Sequence, residues 1–378
     1  MALSLGKPFH LRVQIGRRVG RAAAGIRHLL RYSQIEIELT YLTLEHQFVI
    51  QKRNQIMKNR AIKWIDAAAF AIAVFAVSHP MAVGAYDGKE HTILVKTDAH
   101  EGPVFVPHQN RLYFTTKPNF QSNDVHIAIR YVDLDTLKVG TFLSRSNMAN
   151  GMWLTADGKA LLVAEQGTMH TPGAISRIKL ADGTREVIVD SFEGKPFNSP
   201  NKVIESSKGW IYFSDPDYGA NQGFKPKPEL PMAVYAHDPA TGTTHRLTTD
   251  VARPHGLALS LDEKVLYIGD TDAIDGIHLY NPEKSHSILS ASLEAPNRLG
   301  PLSEVLSVPV GIADGFVVTA PSGDFWVGAG DGLRRYRADG TFKALYPAGG
   351  PVFNVTSHGN IVYSTADTAI WQTQISSD

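Results

Sequence analysis

A strand-rich unit repeats six times along the chain, starting at residue 101. The copies share a polar or glycine-containing entry and an alternating strand. All but the first have a turn with Asp or Gly, and all but the second have a second strand with an aromatic side chain. Successive copies start 49, 51, 54, 59 and 40 residues apart. A four-stranded propeller blade needs about 40 to 50 residues. The period therefore predicts an all-β chain folded as a six-bladed β-propeller.

The remaining strands follow the same period. Third and fourth strands are predicted in the first five copies, at 127–143, 174–189, 232–248, 276–289 and 332–346, and in copies two to five they flank an Asp/Asn-Pro or Asp-Gly turn. The sixth copy ends early, whereas residues 91–98 form a strand before the first copy. We expect that strand to complete the last blade, because closing the ring removes an exposed sheet edge. An open β-sandwich or two separate β domains is the alternative, which the regular period disfavours.

The N-terminal region carries a candidate targeting segment. Residues 57–85 have basic residues, an apolar run at 67–77 and then small residues suited to cleavage, the layout of a secretory signal. The run is shorter than the roughly 20 residues of a spanning helix, so no stable membrane span is expected. A membrane-surface anchor is the alternative. We expect a signal peptide starting near Met57, a secreted or periplasmic protein with a propeller at 86–378, and a non-functional upstream extension at 1–56.

Composition excludes several classes of function. Residues 86–378 carry 25 basic and 33 acidic side chains, so no basic face for nucleic acid is expected. The chain has no cysteine, which excludes disulfides, thiolate metal sites and a cysteine nucleophile. No G-x-S-x-G elbow is present, which disfavours serine-hydrolase chemistry. Oligomeric state cannot be inferred from the sequence.

Polar residues stand directly before the innermost strand of all six copies. In a propeller these positions lie at the rim of the central channel and converge. Taken singly, such residues are more often turn formers, but turn chemistry does not require six side chains to face one axis. The rim residues are Glu101, Asn150, Asn201, His255, Asp314 and Asn354.

The rim residues suit a divalent cation. Carboxylates from Glu101 and Asp314, with amide oxygens from asparagines, are ligands that Ca²⁺ accepts. Imidazole suits Zn²⁺ or another transition metal better, so His255 either shifts the preference or stands off the metal as a base. One divalent ion is expected, with calcium as first choice and zinc or manganese as alternatives because of His255.

Four motifs resemble those of the SMP-30/gluconolactonase family, also called LRE-like or lactonohydrolase. EGPVF at 101–105, NSPNKV at 198–203, PHGLALSLDEKVLYIGDT at 254–271 and ADGF at 313–316 are similar to the family's signature segments. Stretch 215–239 is similar to fungal-type lactonohydrolases. The resemblance runs from about residue 101 to 371 and implies a metal-dependent six-bladed propeller that hydrolyses lactones.

The resemblance also implies residue roles. The family's metal ligands fall on Glu101, Asn201, His255 and Asp314, and Asp314 is also the implied catalytic base, with His255 as the other candidate. Two departures bear on this: His255 replaces an asparagine, and Lys202 replaces an aspartate. The family's sugar-lactone members carry an arginine where this chain has Ser199.

The expected activity is opening of a γ- or δ-lactone to the hydroxy acid. The metal would activate the ester carbonyl while a base assists water attack. Substrate contacts are predicted for Asn150, Asn201, Glu165 and Asn354. The alternatives are another metal-dependent propeller hydrolase, such as a phosphotriesterase, a strictosidine-synthase-like condensation, and a non-catalytic periplasmic propeller that binds a ligand or another protein.

Overall fold

The computed structural model describes residues 91–118, 125–275 and 279–375. The predicted extension at 1–56 and signal at 57–85 lie outside these residues. In the described part, the main sheets are six antiparallel blades of at least four strands each. The prediction of a six-bladed β-propeller is confirmed, and the whole architecture follows from one hairpin-rich unit repeated around an axis.

The first three blades follow chain order. Blade one contains β2 (Glu101–Val106), β3 (Arg111–Thr115), β4 (Ile129–Asp133) and β5 (Lys138–Leu143). Blade two contains β6 (Ala149–Leu154), β7 (Ala160–Glu165), β8 (Ala174–Lys179) and β9 (Arg185–Val189). Blade three contains β12 (Val203–Glu205), β13 (Ile211–Asp215), β14 (Ala233–Asp238) and β15 (Thr243–Thr248).

The last three blades complete the ring. Blade four contains β16 (Pro254–Leu259), β17 (Val265–Asp270), β20 (Ser287–Ala295), β21 (Arg298–Leu299) and β22 (Ser303–Ser307). Blade five contains β23 (Phe316–Thr319), β24 (Asp324–Ala329), β25 (Gly332–Tyr336) and β26 (Phe342–Tyr346). Blade six contains β27 (Asn354–His358), β28 (Ile361–Thr365), β29 (Asp367–Gln374) and β1 (His91–Ala99).

A few short elements decorate the blades. They are a 3-10 turn (Pro107–Gln109), the helix α1 (Tyr218–Asn221), and two ribbons, β10 (Ser191–Phe192) with β11 (Lys195–Pro196) and β18 (Ile274–Asp275) with β19 (Leu279–Tyr280). No helix in the described ranges is long and apolar enough to cross a membrane.

The hydrophobic core lies between blades rather than inside one layer. Apolar clusters fill the six gaps between neighbouring blades, so a central strand is covered on both faces. All six residues of β7 are buried, whereas the residues of the outermost strand β15 are exposed or half-buried. Fully burying one large apolar side chain contributes about 1.5–3 kcal/mol, so the apolar clusters between the blades stabilise the ring.

The ring closes with a strand from the beginning of the propeller. β1 pairs antiparallel with β29, with His91 opposite Thr373 and Ala99 opposite Asp367. The expectation that residues 91–98 complete the last blade is therefore confirmed.

Blade four departs from the expected spacing. Residues 276–289 were expected to supply its third and fourth strands, but its third strand is β20, which starts at Ser287, and its fourth is β22. The Asn281-Pro282 turn instead follows the small β18–β19 ribbon. The expected hairpin is wrong because an insertion before β20 carries the turn residues, and the strand that follows is longer than the motif indicated.

Candidate metal and active site

The rim residues lie where the innermost strands begin. Each strand starts beside the channel, and the six predicted rim residues are between 1% and 9% exposed. Buried polar groups on this scale need partners, which can be protein atoms, water or a ligand. The rim residues are Glu101, Asn150, Asn201, His255, Asp314 and Asn354.

Three of these side chains meet at one point. Ligand-type atoms of Glu101, His255 and Asp314 all lie within 4.8 Å of one another. Nε2 of His255 is 3.3 Å from Oδ1 of Asp314. These residues come from blades one, four and five, so the ring fold is what brings them together across more than 200 residues of sequence.

Carboxylates at the ends of second strands hold the loops that carry rim residues. Asp215, at the end of β13, accepts the backbone N–H groups of Asn198 (2.9 Å) and Ser199 (2.7 Å). Asp270 does the same for Arg253 at 2.9 Å in blade four. Each carboxylate fixes the short segment just before a rim residue, Asn201 or His255.

Hydroxyl groups link neighbouring blades at the rim. They sit at or near the ends of second strands and donate to rim-level carbonyls of the next blade: Thr115 to Asn150 (3.4 Å), Ser214 to His255 (2.6 Å) and Thr365 to His100 (2.7 Å). These bonds fix the rim backbone without using the side chains that face the channel.

A hydrogen-bonded chain connects Glu101 with a buried lysine. Nδ2 of Asn354 donates to Oε2 of Glu101 at 2.5 Å, and Nζ of Lys202 donates to Oδ1 of Asn354 at 3.3 Å. Lys202 is 5% exposed. The cation that the sequence placed beside the site thus reaches into it.

Burial raises the proton affinity of both carboxylates. Burial raises the pKa of Glu101 despite the nearby His100 and the hydrogen bond from Asn354. Burial, reinforced by the negative charge of Glu101, raises the pKa of Asp314 well above its ordinary value. Two buried carboxylates this close cannot both ionise easily without a cation.

The pKa values of the two nitrogen-containing side chains, His255 and Lys202, are lowered. Burial, with the charge of Lys202, lowers the pKa of His255 to about 3. Burial lowers the pKa of Lys202 to about 8 against the attraction of Glu101 and Asp314. His255 is therefore neutral at ordinary pH, the form that binds metals, and such a low pKa makes it a weak base.

Tyr218 forms one wall beside His255. Its ring meets the imidazole edge-on with centroids 5.6 Å apart, and its hydroxyl bonds with Thr271 Oγ1 at 2.5 Å. Two other aromatic side chains do not contribute to this wall: Phe224 packs in a separate cluster with Ile127 and Met148, and Trp153 lines a cavity further along the channel.

A histidine next to Glu101 was missed by the sequence interpretation. Nδ1 of His100 lies 2.7 Å from Oδ1 of Asp367, whose Oδ2 is 3.3 Å from Nζ of Lys117. Burial alone would lower the pKa of His100, but the bond and charge of Asp367 raise it. Asp367 has a left-handed backbone with φ of 61°, an unusual conformation for a non-glycine residue. No motif in the sequence marks this pair.

Glu165 makes its contacts within blade two and away from the rim. Its carboxylate is fully buried, pairs with Arg185 at 2.5 Å and accepts from Ser176 at 2.6 Å. These partners belong to the outer strands of blade two, and Glu165 is not one of the three converging residues Glu101, His255 and Asp314; its substrate contact stays a prediction. Asn150 and Asn201 lie at the rim as expected, and Asn354 is engaged with Glu101 and Lys202. Their substrate contacts stay predictions.

The chemistry of the cluster fits a divalent metal. Two carboxylates and one neutral imidazole converge, and three buried atoms at the rim have no hydrogen-bond partner within the described residues: Asp314 Oδ1, His255 Nδ1 and Asn150 Oδ1. Buried polar atoms nearly always have a hydrogen-bond partner, and an orphaned one points to a water molecule or an ion. A cation would give Asp314 Oδ1 a partner and relieve the repulsion between Asp314 and Glu101.

The chain belongs to the SMP-30/gluconolactonase/LRE-like family, whose model matches residues 99–358. It is similar to a gluconolactonase from Zymomonas mobilis, with 31% identity over 255 residues that cover 65% of this chain and 68% of that protein. It is also similar to the lactonohydrolase oryL of Aspergillus oryzae, with 28% identity over 46% of this chain and 41% of that protein.

Solved structures share the architecture. A gluconolactonase from Xanthomonas campestris superposes with a TM-score of 0.63 at 26% identity, covering 75% of this chain and 89% of that one. A calcium-binding regucalcin from Agrobacterium tumefaciens has a TM-score of 0.57 at 16% identity, covering 74% and 92%. At that identity the second likeness concerns the fold.

Proposed function

We propose that the chain is a metal-dependent lactone hydrolase that opens a γ- or δ-lactone to the hydroxy acid. The observation that carries this proposal is the convergence of Glu101, His255 and Asp314 within 4.8 Å at the channel of a chain in this family. Relatives named gluconolactonase and lactonohydrolase support the choice of substrate class.

Glu101, His255 and Asp314 would hold the metal, with the Asn201 amide as the fourth proposed ligand. A bound divalent cation supplies Lewis-acid polarisation of the ester carbonyl, which can contribute several kcal/mol. Calcium is our first choice because of the oxygen ligands. Zinc or manganese is the alternative because neutral His255 offers a nitrogen.

Asp314 is the proposed base. The family resemblance implies this role, and a carboxylate has two oxygens, so that one could face the metal while the other accepts a proton. Water adds to the carbonyl carbon as Asp314 takes its proton, and the proton passes to the ring oxygen when the C–O bond breaks. Atoms balance: one water and one lactone give one hydroxy acid. His255 is proposed to act as a ligand.

Asn150 and Asn201 are proposed to orient the substrate. The free Oδ1 of Asn150 can accept a hydroxyl hydrogen. Ser199, at the position of the family's arginine, is used locally: its hydroxyl donates to Asn198 O and accepts from Gly219 N–H, both at 2.7 Å. It is therefore not free to bind sugar hydroxyls, which favours a less hydroxylated lactone.

The protein is also proposed to be exported, because residues 57–85 have the layout of a secretory signal. Mass spectrometry of the native N-terminus tests this. A terminus near residue 86 is expected, whereas peptides from residues 1–56 in the native protein would contradict both the export signal and the upstream extension.

Elemental analysis of the purified chain, followed by a pH-indicator screen, tests the activity. The screen compares γ- and δ-lactones, including sugar lactones, with aryl esters and phosphotriesters. We expect about one divalent ion per chain and fastest turnover of lactones. Glu101→Gln should lose both metal and turnover. The matched control is Glu186→Gln, a carboxylate that is 63% exposed on an outer strand, which should change neither.

Other outcomes would redirect the proposal. Faster turnover of phosphotriesters would favour a phosphotriesterase. No bound metal, together with no turnover after addition of calcium, manganese or zinc, would favour a non-catalytic ligand-binding propeller.

A further inference from the structure

Lys202 stands at a position where most blades have glycine. The residue after the rim residue is glycine in blades one, two, four and five: Gly102, Gly151, Gly256 and Gly315. A Cβ there would lie 2.4 to 2.8 Å from the rim residue of the next blade, closer than packing allows. Blade three instead carries a long side chain at this position.

That side chain crosses the channel. Lys202 belongs to blade three and its ammonium bonds to Asn354 in blade six, and these two blades face each other in the six-membered ring. Lys202 also lines a cavity of about 350 Å³ that continues along the channel between inner-strand residues such as Val104, Leu257 and Val317. The lysine therefore lies between the rim cluster and this cavity.

Its charge acts on the cluster. The ammonium is attracted by Glu101 and Asp314, and through Asn354 it is hydrogen-bonded to the carboxylate of Glu101. The chain thus provides one positive charge for a site with two carboxylates. Any divalent ion that enters meets this charge at short range, where few water molecules screen it.

We propose that Lys202 is a tethered cation that offsets the charge of Glu101 and Asp314 in the metal-free protein and weakens divalent metal binding by repulsion. The inference rests on the proposed metal dependence. The tethered cation predicts that the metal exchanges readily. It also predicts that, without metal, the hydrogen bond from Lys202 to Asn354 still connects blades three and six.

Calorimetric titration of the full chain with calcium alone tests this, with manganese and zinc in parallel at one fixed pH. Lys202→Gln and Lys202→Met should lower the Kd at least tenfold, and saturating metal should raise their Tm more than that of the wild type. Lys202→Arg keeps the charge and should stay within about threefold of the wild-type Kd. Lys225→Met is the matched control, since Lys225 is also a blade-three lysine, 7% exposed, but bonds to Phe197 O. Its Kd should equal that of the wild type.

The outcomes separate the two proposals. Wild-type binding with no tightening in Lys202→Gln and Lys202→Met would overturn the tethered cation alone. Absence of binding in every form, with all three metals, would overturn the metal dependence. A Lys202 variant that folds only with metal supports the inference. Failure of both neutral variants to fold even with saturating metal would contradict it, because removing a competing charge should favour the metal-bound fold.

Discussion

Nδ2 of Asn354 lies 2.5 Å from Oε2 of Glu101, joining the last blade to the first at the carboxylate of the proposed metal site. The amide oxygen of Asn354 accepts a hydrogen bond from the ammonium group of Lys202. An asparagine can serve both partners because it carries a donor and an acceptor. One side chain therefore links the junction between the last and first blades to the position of Glu101.

Asn354→Ala should loosen Glu101 and weaken metal binding several-fold. Removing one partner of a buried hydrogen bond costs about 1–3 kcal/mol, so the midpoint of urea unfolding should also fall. Asn360→Ala, at the exposed turn of the same blade, is the control and should leave both quantities unchanged. An Asn354→Ala protein with wild-type stability and metal affinity would show that the link does not hold Glu101.

His255→Ala should reduce metal content rather than turnover alone. Burial lowers the pKa of His255 to about 3, which makes the neutral imidazole a good ligand and a poor base. Elemental analysis and turnover are measured on the same sample. His237→Ala removes another buried histidine, bonded to Thr244, and should keep the metal. Full metal occupancy with a large fall in turnover would instead make His255 the base.

At saturating metal, Asp314→Asn should lower kcat by about 10²–10⁴-fold, the usual contribution of a general base. A base must be deprotonated to act, so wild-type activity should fall as the pH decreases through the pKa of the base in the metal-bound enzyme. The residual activity of the variant should lack this acid limb. If the limb persists unchanged, another group takes the proton.

The closing strand should weaken in acid. His91 stacks on Trp371 with ring centroids 4.5 Å apart, and burial lowers its pKa from 6.5 to about 4. A lowered pKa means that the unfolded chain takes up the proton first. The contribution of neutral His91 to the free energy of unfolding is therefore present above pH 6.5 and is lost as the pH falls towards 4. It amounts to at most about 3 kcal/mol.

His91→Gln should flatten this decline in urea unfolding of the metal-free protein between pH 7 and 4. His108→Gln changes an exposed histidine of blade one and should leave the slope as it is. Equal slopes in the wild type and His91→Gln would assign the acid sensitivity to other groups.

Much of the fold was accessible from the sequence because each blade is built from local hairpins with turn residues at regular distances. The rim positions followed from the same period, which is why Glu101, His255 and Asp314 could be singled out before their convergence was known. The predicted third and fourth strands of blade four are wrong because an insertion at 274–286 separates its second and third strands. The repeat period does not show which turn connects two hydrogen-bonded strands.

The partners of side chains were less accessible. Glu165 precedes a loop as a ligand might, yet it pairs with Arg185 twenty residues later. His100 and Asp367 are 267 positions apart, and only ring closure brings them together. Lys202 stood out as a departure from the family, but its reach to the opposite blade depends on the width of the channel, which no local pattern encodes.

The pairing of β1 with β29 also has a consequence for biosynthesis. Among the described strands β1 is made first, but it finds its partner only after Gln374, near the end of the chain, has been made. Until then β1 carries unpaired backbone groups that can recruit other strands. The proposed export, if it takes place in an unfolded state, would move this last step of assembly to the far side of the membrane.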